Sequence, residues 1–256
     1  MNILITNDDG INSDGIYALY EAVKENDNVT VVAPDSERSA AGHAITLSDP
    51  LRVKIVNRSG MQFGYATSGT PADCVKLAVR ALMKEKPDLV ISGINLGPNT
   101  GFSVLYSGTV SGATEGAILG IPSFAISLGT FENPDFSLAA EFAKKLVTLL
   151  RDKDIPKGTL LNVNVPAVKS RNDIKGVKVT YQSKTALVEH FDLREDPRKH
   201  SYYWLTGELI GLDGEKGSDM EAIRHGYISI SPLQCDMTNY IFIDKLKEWD
   251  INSLNL

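Results

Sequence analysis

Short apolar runs and amphipathic stretches alternate along the first 166 residues of the chain. The apolar runs lie at residues 2–6, 29–33, 87–91, 122–127 and 159–165. Runs of this kind are typical of parallel strands that are covered on both faces. We therefore expect each run to be an interior strand of one sheet.

The stretches between these runs have the spacing of helices. A helix that starts at Asp14, with Asp14 as its expected cap, presents one apolar face. Thr70, Pro71 and Asp73 occupy the N-cap, N1 and N3 positions of a second helix. Residues 136–150 predict a longer amphipathic helix. Helices that alternate with buried strands predict an α/β protein with a doubly wound, mostly parallel sheet.

Two further regions alternate between apolar and polar residues. Residues 45–55 predict short strands with a turn between them. Residues 177–181 and 202–205 alternate around a charged stretch at 189–200, which predicts an antiparallel hairpin arm over residues 177–208 with a polar tip. Because a two-stranded hairpin is only marginally stable alone, we expect it to pack on a second subunit.

Length and composition favour one domain over residues 1–256. The 256 residues and the hydrophobic content of 43% fit a single large core. That core is expected to comprise about residues 1–176 and a returning strand at 227–233, with a terminal helix at about 238–250.

Charge and cysteine content exclude several classes of partner. The net charge is -6 and the chain has no long basic run, so a nucleic-acid duplex is not expected as a partner. Hydropathy gives a further expectation: no apolar stretch of about 18 residues is present, so no membrane span is expected. Cys74 and Cys235 lack metal-ligand spacing and are interpreted as thiols of a reducing compartment. We expect a soluble cytoplasmic protein.

Polar loops follow three of the predicted strands, and oxygen donors are concentrated in them. Asp8 and Asp9 follow the first strand, Ser39 lies in the loop after the second, and Asn95 follows a later one. Ligands of open parallel sheets bind beyond the carboxyl ends of the strands. Oxygen ligands suit hard cations such as Mg²⁺ or Mn²⁺. The alternative, in which one aspartate caps a helix and the other is solvated, remains open.

A segment of small and hydroxyl residues, 107–112, opens another predicted helix. The backbone N–H groups of Ser107, Gly108, Thr109 and Ser111, with the hydroxyls of the serines and the threonine, predict an anion site at the positive helix end. An ordinary N-cap followed by close helix packing is the alternative. No lysine follows, so the segment is not a Walker P-loop, and it is not G-x-G-x-x-G.

Two basic residues lie in the loop after the second strand. His43 has two interpretations, as a donor to a phosphate or leaving group or as an exposed loop residue. Arg38 is a candidate partner of a phosphate, or else of the nearby acidic residues Asp35 and Glu37.

Other phosphoryl-transfer classes match less well. Phosphorylation-receiver domains also carry an acidic pair after the first strand, but their acceptor aspartate would fall at Gly93. Haloacid-dehalogenase phosphatases need an Asp-x-Asp spacing, whereas Asp8 and Asp9 are adjacent. A nucleotide-binding module without catalysis also remains open as an alternative.

Five ordered motifs carry a closer family resemblance. They are ITNDDGI at 5–11, VAPDSERSAAGH at 32–43, SGTPADCV at 68–75, SGINLGPN at 92–99 and YSGTVSGA at 106–113. With these motifs the chain closely resembles the SurE family, the stationary-phase survival proteins that act as metal-dependent nucleotidases. Weaker similarity continues at 202–204 and 226–233, so it covers essentially the whole chain.

The resemblance implies a fold and an assembly. The fold is a Rossmann-like, three-layer α/β/α sheet with a C-terminal β-hairpin arm and tail. The arm and tail imply a homodimer or homotetramer.

The resemblance also implies a site. One divalent cation, Mg or Mn, is held by the residues that match Asp8, Asp9, Ser39 and Asn95. The implied activity is that of a 5′-nucleotidase, which hydrolyses nucleoside monophosphates, with 3′-nucleotides and short polyphosphate as further substrates.

The expected mechanism is direct attack by water. No nucleophile elbow and no Cys-x₅-Arg pattern offers a covalent nucleophile. Asp8 or Asp9 is expected to orient or deprotonate the water. The phosphate is expected to bind to Asn95 and to the segment 107–111.

Overall fold

The computed structural model of the chain describes residues 1–184, 188–208 and 215–249, together with residues 251 and 254. Strands and α-helices alternate along much of this length. The strands are β1 (Asn2–Thr6), β2 (Asn28–Pro34), β3 (Val53–Arg58), β4 (Met61–Thr67), β5 (Leu89–Leu96), β6 (Ser123–Gly129), β7 (Thr159–Pro166), β8 (Gly176–Val179), β9 (Val188–Glu195), β10 (Ser201–Glu208) and β11 (Tyr227–Gln234). The α-helices are α1 (Asp14–Val23), α2 (Pro71–Leu77), α3 (Ser103–Tyr106), α4 (Gly108–Ile118), α5 (Ser137–Leu150), α6 (Asp219–Arg224) and α7 (Tyr240–Lys247).

Nine strands form the central sheet in the order β3-β4-β2-β1-β5-β6-β7-β11-β8. Neighbouring strands are parallel except for the pairs β3 with β4 and β7 with β11. The chain crosses from β1 to β2 on one side and later returns to β5 on the other. The border between β1 and β5 is therefore the topological switch point at which open α/β sheets bind ligands.

Side chains of β1 supply two cores on opposite faces of the sheet. Ile3 and Ile5 pack with residues of α1 and α5, whereas Leu4 packs with residues of α2. Helix α4 packs against α2 on that second side. Successive residues of a strand point to opposite faces, so an interior strand supports both helical layers. The predicted three-layer, doubly wound and mostly parallel α/β fold is confirmed.

Helix α2 starts as the sequence predicted. The hydroxyl of Thr70 accepts a hydrogen bond from the backbone N–H of Asp73, whose carboxylate accepts one from the N–H of Thr70. Pro71 lies at the first helical position. The helix then continues as a π-helical turn at Ala78–Leu82.

Residues 45–52 contain no strand, so this part of the prediction is wrong. The strands in this region are β3 and β4, an antiparallel hairpin whose second strand the sequence pattern did not reveal. Ile45 and Leu47 are 45% and 85% exposed, so their alternation does not reflect a buried face. Thr46 is held instead by Asp73, which accepts hydrogen bonds from its backbone N–H and its hydroxyl.

The hairpin arm starts later than predicted. The predicted arm residues 177–179 belong to β8, which pairs in parallel with β11 in the central sheet. The arm consists of β9 and β10, so the charged stretch expected at its tip is mainly strand. Phe191 and Trp204 on the arm are 66% and 57% exposed. Because the arm lies outside the central sheet, no buried face imposes an apolar period on it.

No helix within the described parts of the chain is both long and apolar enough to cross a membrane.

Candidate active site

The carboxyl ends of β1 and β5 lie side by side at the switch point. The two strands pair in parallel, with Thr6 opposite Ser92. Asp8 and Asp9 follow β1 directly, and Asn95 is the last residue but one of β5. The parallel pairing therefore brings the acidic pair and Asn95 to one edge of the sheet.

Strand β5 is longer than predicted, and the glycine-rich loop begins only at Gly97. Gly93 has a φ of +144°, and a Cβ there would lie 2.3 Å from the carbonyl oxygen of Ile126. Glycine therefore lets β5 continue against β6. Nδ2 of Asn95 donates to the carbonyl of Gly97 over 2.7 Å. This contact uses the amide nitrogen, so the amide oxygen is the atom with which Asn95 would bind a cation.

Asp8 is buried against the start of α4. Only 4% of the residue is exposed, and the hydroxyl of Thr109 donates a hydrogen bond to its Oδ1. A Cβ at Gly108 would lie 2.7 Å from Cβ of Asp8, so the close approach depends on glycine. Burial raises the pKa of Asp8, although hydrogen bonds from Thr109 oppose the shift. The positive end of the helix dipole also favours the carboxylate.

Asp9 is the half-buried member of the pair. Its Oδ2 accepts a hydrogen bond from the backbone N–H of Leu96 over 3.2 Å. Burial and the negative charge of Asp8 raise the pKa of Asp9 to about 6. Glu37 raises the pKa of both aspartates. The charged groups that act on the pair are thus themselves acidic, and a bound cation would relieve their repulsion.

The turn after β1 depends on Gly10, whose φ is +93°. Nδ2 of Asn7 fixes the turn by donating to the Gly10 carbonyl over 3.0 Å and to Oγ of Ser13 over 2.8 Å. Oγ of Ser13 caps α1 by accepting from the N–H of Ile16. The predicted cap, Asp14, is therefore wrong, and it lies in the first turn instead. The cap of α1 is not a member of the acidic pair.

Ser39 lies in the loop that follows β2 and is exposed. The backbone N–H of the preceding residue, Arg38, donates to the carbonyl of Asp8 over 2.8 Å, which places this loop against the acidic pair. The hydroxyl of Ser39 donates to Oε1 of Glu37 over 2.6 Å. Glu37 was considered in the sequence only as a partner of Arg38, although its charge could have signalled a role near the pair.

The donor set of this edge is mixed. Among the described residues, no three His, Cys, Asp or Glu side chains form a group suited to a metal ion. A cation here would therefore need amide and hydroxyl oxygens beside the carboxylates. Asp8, Asp9 and Asn95 are brought together by the strands, and Ser39 lies one residue beyond the contact between Arg38 and Asp8. Oxygen donors of this kind fit Mg²⁺ or Mn²⁺.

The segment before α4 is buried and internally hydrogen-bonded. Oγ of Ser107 accepts from the N–H of Val110 over 3.0 Å and so caps the helix. The hydroxyl of Ser111 donates to the carbonyl of Ser107 over 2.6 Å. The segment therefore has the N-cap geometry that the sequence offered as an alternative. That geometry is compatible with an anion at the N–H of Gly108 and the hydroxyl of Ser107.

The two basic candidates make contacts within the protein. Nε2 of His43 lies 3.0 Å from Oε2 of Glu115, a residue of α4 that is 2% exposed. Lys76 on α2 contacts the other carboxylate oxygen over 2.5 Å. Nη2 of Arg38 donates to the carbonyl of Ser68 over 3.0 Å. Sequence reasoning missed Glu115 and Lys76, because neither lies in a local pattern with His43.

A buried asparagine cluster fixes the loop after β5. The backbone N–H of Asn99 donates to Oδ1 of Asn164 over 2.8 Å, and its carbonyl accepts from Asn162 and Asn164. Nδ2 of Asn99 donates to Oγ of Ser127 over 2.9 Å. The signal for this cluster in the sequence is the pair of asparagines, Asn162 and Asn164, in an otherwise apolar strand.

Asp219 joins the same loop to the segment that leads to the arm. Its carboxylate accepts from the backbone N–H of Gly101 over 3.0 Å and from that of Ser183 over 2.9 Å. Asp219 is fully buried, and burial raises its pKa against the effect of these hydrogen bonds.

Comparisons with known proteins match the part of the chain that contains this site. The family model described as survival protein SurE matches residues 3–189. A relative from Syntrophobacter fumaroxidans, named 5′-nucleotidase SurE, is 51% identical over 251 residues, which cover 98% of this chain and 100% of the relative. A relative of the same name from Thermosipho melanesiensis is 47% identical over 248 residues, with 97% of each chain covered.

A solved structure is similar over nearly the same length. The crystal structure of the SurE protein from Aquifex aeolicus superposes with a TM-score of 0.85 at 44% sequence identity. The similarity covers 96% of this chain and 98% of that one.

Proposed function

The chain belongs to the SurE family, and from this premise we propose that it is a 5′-nucleotidase that hydrolyses nucleoside 5′-monophosphates to nucleoside and phosphate with one bound Mg²⁺ or Mn²⁺. The curated relatives carry the name 5′-nucleotidase over nearly the full chain. The observation that carries the cation requirement is the acidic pair at the switch point. Asp8 and Asp9 are adjacent, and the charged groups that raise their pKa values are acidic.

The proposed ligands are Asp8, Asp9, Ser39 and Asn95. Three of them lie at the ends of β1 and β5, and the fourth is in the loop that contacts the Asp8 carbonyl. A divalent cation supplies a Lewis acid for the charge that develops on the phosphoryl oxygens. On binding the cation through its oxygen, the hydroxyl of Ser39 would give up its hydrogen bond to Glu37.

The start of α4 is the proposed phosphate site. Oγ of Ser107 accepts from Val110, so its hydroxyl hydrogen and the N–H of Gly108 would be the donors to an anion at the positive end of the helix. Thr109 would act by orienting Asp8, and Ser111 by holding the carbonyl of Ser107. These two residues support the phosphate site without needing their hydroxyls for the substrate.

The attacking group is proposed to be water. Asp8 or Asp9 would orient it or accept its proton, because carboxylates positioned beside the phosphate can act as general bases. The Asp9 carboxyl, with its pKa near 6 before a cation binds, changes its protonation state close to neutral pH.

One assay tests this function directly. Phosphate release is measured from a panel of nucleoside 5′- and 3′-monophosphates and short polyphosphate, each with Mg²⁺, Mn²⁺ or EDTA. We expect release from 5′-nucleotides with either metal and none in EDTA, with 3′-nucleotides and polyphosphate as proposed further substrates. Binding of a nucleotide without turnover would instead indicate a binding module. Labelling by acetyl phosphate would indicate a receiver-like domain.

We also propose a homodimer or homotetramer formed through the arm and tail. Arm residues Tyr203, Trp204 and Leu205 are each more than half exposed, which is unusual for a surface that stays in water. Light scattering on the purified chain gives the subunit number. Substitution of Trp204 and Leu205 by glutamate is expected to reduce it.

The proposed compartment is the cytoplasm. Cys74 and Cys235 are free thiols, which supports a reducing environment.

A further inference from the structure

The Ser39 segment, residues 37–46, has neither helix nor strand, yet side chains of two helices hold it in place. Asp73 on α2 accepts hydrogen bonds from two groups of Thr46, its backbone N–H and its hydroxyl. The carboxylate of Glu115 on α4 contacts the ring of His43. The N–H of Gly42 donates to the carbonyl of Tyr106 over 3.0 Å. The segment is therefore held at a defined position by contacts with the helices that flank the site.

Among the side chains that hold the segment, Glu115 carries a buried carboxylate. It is 2% exposed, and each of its carboxylate oxygens has a basic partner, His43 at 3.0 Å and Lys76 at 2.5 Å. Burial disfavours its ionised form, but the hydrogen bonds from His43 and Lys76 prevail, so the pKa of Glu115 is lowered. The carboxylate is thus a fixed negative charge, and a buried charge that loses one partner is costly.

The position of Glu115 on α4 relates the segment to the phosphate site. It lies seven residues after Gly108, which corresponds to two turns or about 10 Å along the helix axis. Asp8 contacts the first turn of the same helix. One helix therefore determines where Asp8 lies and where the segment with Ser39 lies.

We propose that His43 is a positioning residue, which docks on Glu115 and so places Ser39 at the cation site. This inference rests on the proposed function. The interaction uses Nε2, the nitrogen at the far end of the ring, and directs it to Glu115. A general acid instead needs a nitrogen within about 3 Å of the leaving oxygen. The contact with Glu115 therefore favours positioning over proton donation.

Two substitutions of one residue separate these roles. The amide of His43→Gln can donate to Glu115 but cannot act as an acid, whereas His43→Ala can do neither. Mn²⁺ affinity is measured by calorimetry on protein stripped with EDTA. Values of kcat and KM are measured for a nucleoside monophosphate and for p-nitrophenyl phosphate, whose leaving group departs without a proton.

We expect His43→Ala to bind Mn²⁺ about 10-fold or more weakly, the usual effect of losing an outer contact of a metal site. At saturating Mn²⁺, the kcat of His43→Ala should fall equally for the nucleoside monophosphate and for p-nitrophenyl phosphate. His43→Gln keeps the contact, so its Mn²⁺ affinity, and its kcat and KM for both substrates, should stay well inside the about 10-fold loss expected for alanine. Equal losses of kcat in the Gln and Ala variants, with normal Mn²⁺ affinity and p-nitrophenyl phosphate spared, would identify a general acid and overturn the proposal. Wild-type values in both variants would overturn it as well.

Lys76→Met provides the matched control. It removes the other partner of Glu115 but leaves the contact with His43. We expect a lower melting temperature and a Mn²⁺ affinity that stays well inside the about 10-fold loss expected for His43→Ala. If Lys76→Met weakens Mn²⁺ binding as much as His43→Ala does, the effect comes from general disturbance of α4 and the proposal fails. Absence of wild-type turnover on every nucleotide would reject the proposed function alone, because the Mn²⁺ measurement is independent of turnover.

Discussion

The hydroxyl of Thr109 donates a hydrogen bond to Oδ1 of Asp8, a residue 101 positions earlier in the chain. Thr109 is fully buried, and Asp8 is 4% exposed. The contact connects the acidic loop after β1 with the helix start proposed to hold phosphate. It also fixes one carboxylate oxygen, so the other is directed by the protein before any ligand arrives.

Replacing Thr109 by valine should reduce activity and stability together. Valine keeps the shape but leaves the buried Asp8 oxygen without its donor, which costs about 1.5–3 kcal/mol for a charged group. We expect phosphate release to fall about 10-fold or more. The assays are steady-state kinetics and urea unfolding. Thr109→Ser, which retains the hydroxyl, is the control, and equal losses in both variants would contradict the role of the hydrogen bond.

Divalent metal should stabilise the protein through the acidic pair. A ligand that binds only the folded state at 100 times its Kd adds about 2.7 kcal/mol. We therefore expect the melting temperature to rise with Mn²⁺ in wild type and to remain unchanged in Asp8→Asn and Asp9→Asn. Both variants should fold, as judged by circular dichroism, and should release phosphate at least about 100-fold more slowly. A normal metal-dependent shift in either variant would remove that aspartate from the ligand set.

In EDTA, the contribution of Asp9 to the stability of the protein should decline as the pH rises from about 4 to about 6. The folded-state pKa of Asp9 is about 6 and its ordinary value is 3.8, so in this interval Asp9 binds more protons in the folded protein than in the unfolded chain. The contribution of Asp9 is therefore most favourable below pH 4 and is lost as the pH passes 6. The measurement is the difference in melting temperature between wild type and Asp9→Asn across this range.

That difference should be small near pH 4 and should favour Asp9→Asn at pH 7. Asp8 is present in both proteins, so the comparison reports the titration of the Asp9 carboxyl together with its repulsion of Asp8. A constant difference across the range would show that burial and Asp8 do not raise the pKa of Asp9 in solution.

Gly108→Ala should impair catalysis more than folding. The added Cβ would lie 2.7 Å from Cβ of Asp8, so the carboxylate must move. Alanine is otherwise the better helix former, by about 1 kcal/mol relative to glycine. We expect a melting temperature near that of wild type and a loss of phosphate release of about 10-fold or more, in line with displaced site groups. Unchanged kcat/KM would show that Asp8 can move without consequence.

The sequence predicted those parts of the fold whose determinants are local. The cap of α2 was found because its determinants lie within four positions. Thr70 and Asp73 satisfy each other's backbone N–H groups, and Pro71 occupies the first helical position between them. The cap of α1 was misplaced by one residue, since both Ser13 and Asp14 are suitable caps and only the contact with Asn7 distinguishes them.

The candidate site was predictable to a smaller extent. The alternation of strands and helices placed Asp8, Asp9 and Asn95 at one edge, because parallel neighbours end on the same side. Ser39 was predicted as a cation ligand only from its place in a polar loop and from the family resemblance. No periodicity in the sequence determines where such a loop lies. The contact of Glu115 with this loop could not be predicted, because its partners His43 and Lys76 come from separate elements and meet only after folding.

The carboxylate of Asp219 binds two backbone N–H groups from segments 82 residues apart in the chain, at Gly101 and Ser183. The first belongs to the loop beyond the site strand β5, and the second to the segment that precedes the arm. Loss of this one side chain would release both segments at once. If the chain assembles through the arm as proposed, subunit exchange and nucleotide turnover would then change together. A defect that looks like one of assembly and a defect that looks like one of catalysis would have a single origin.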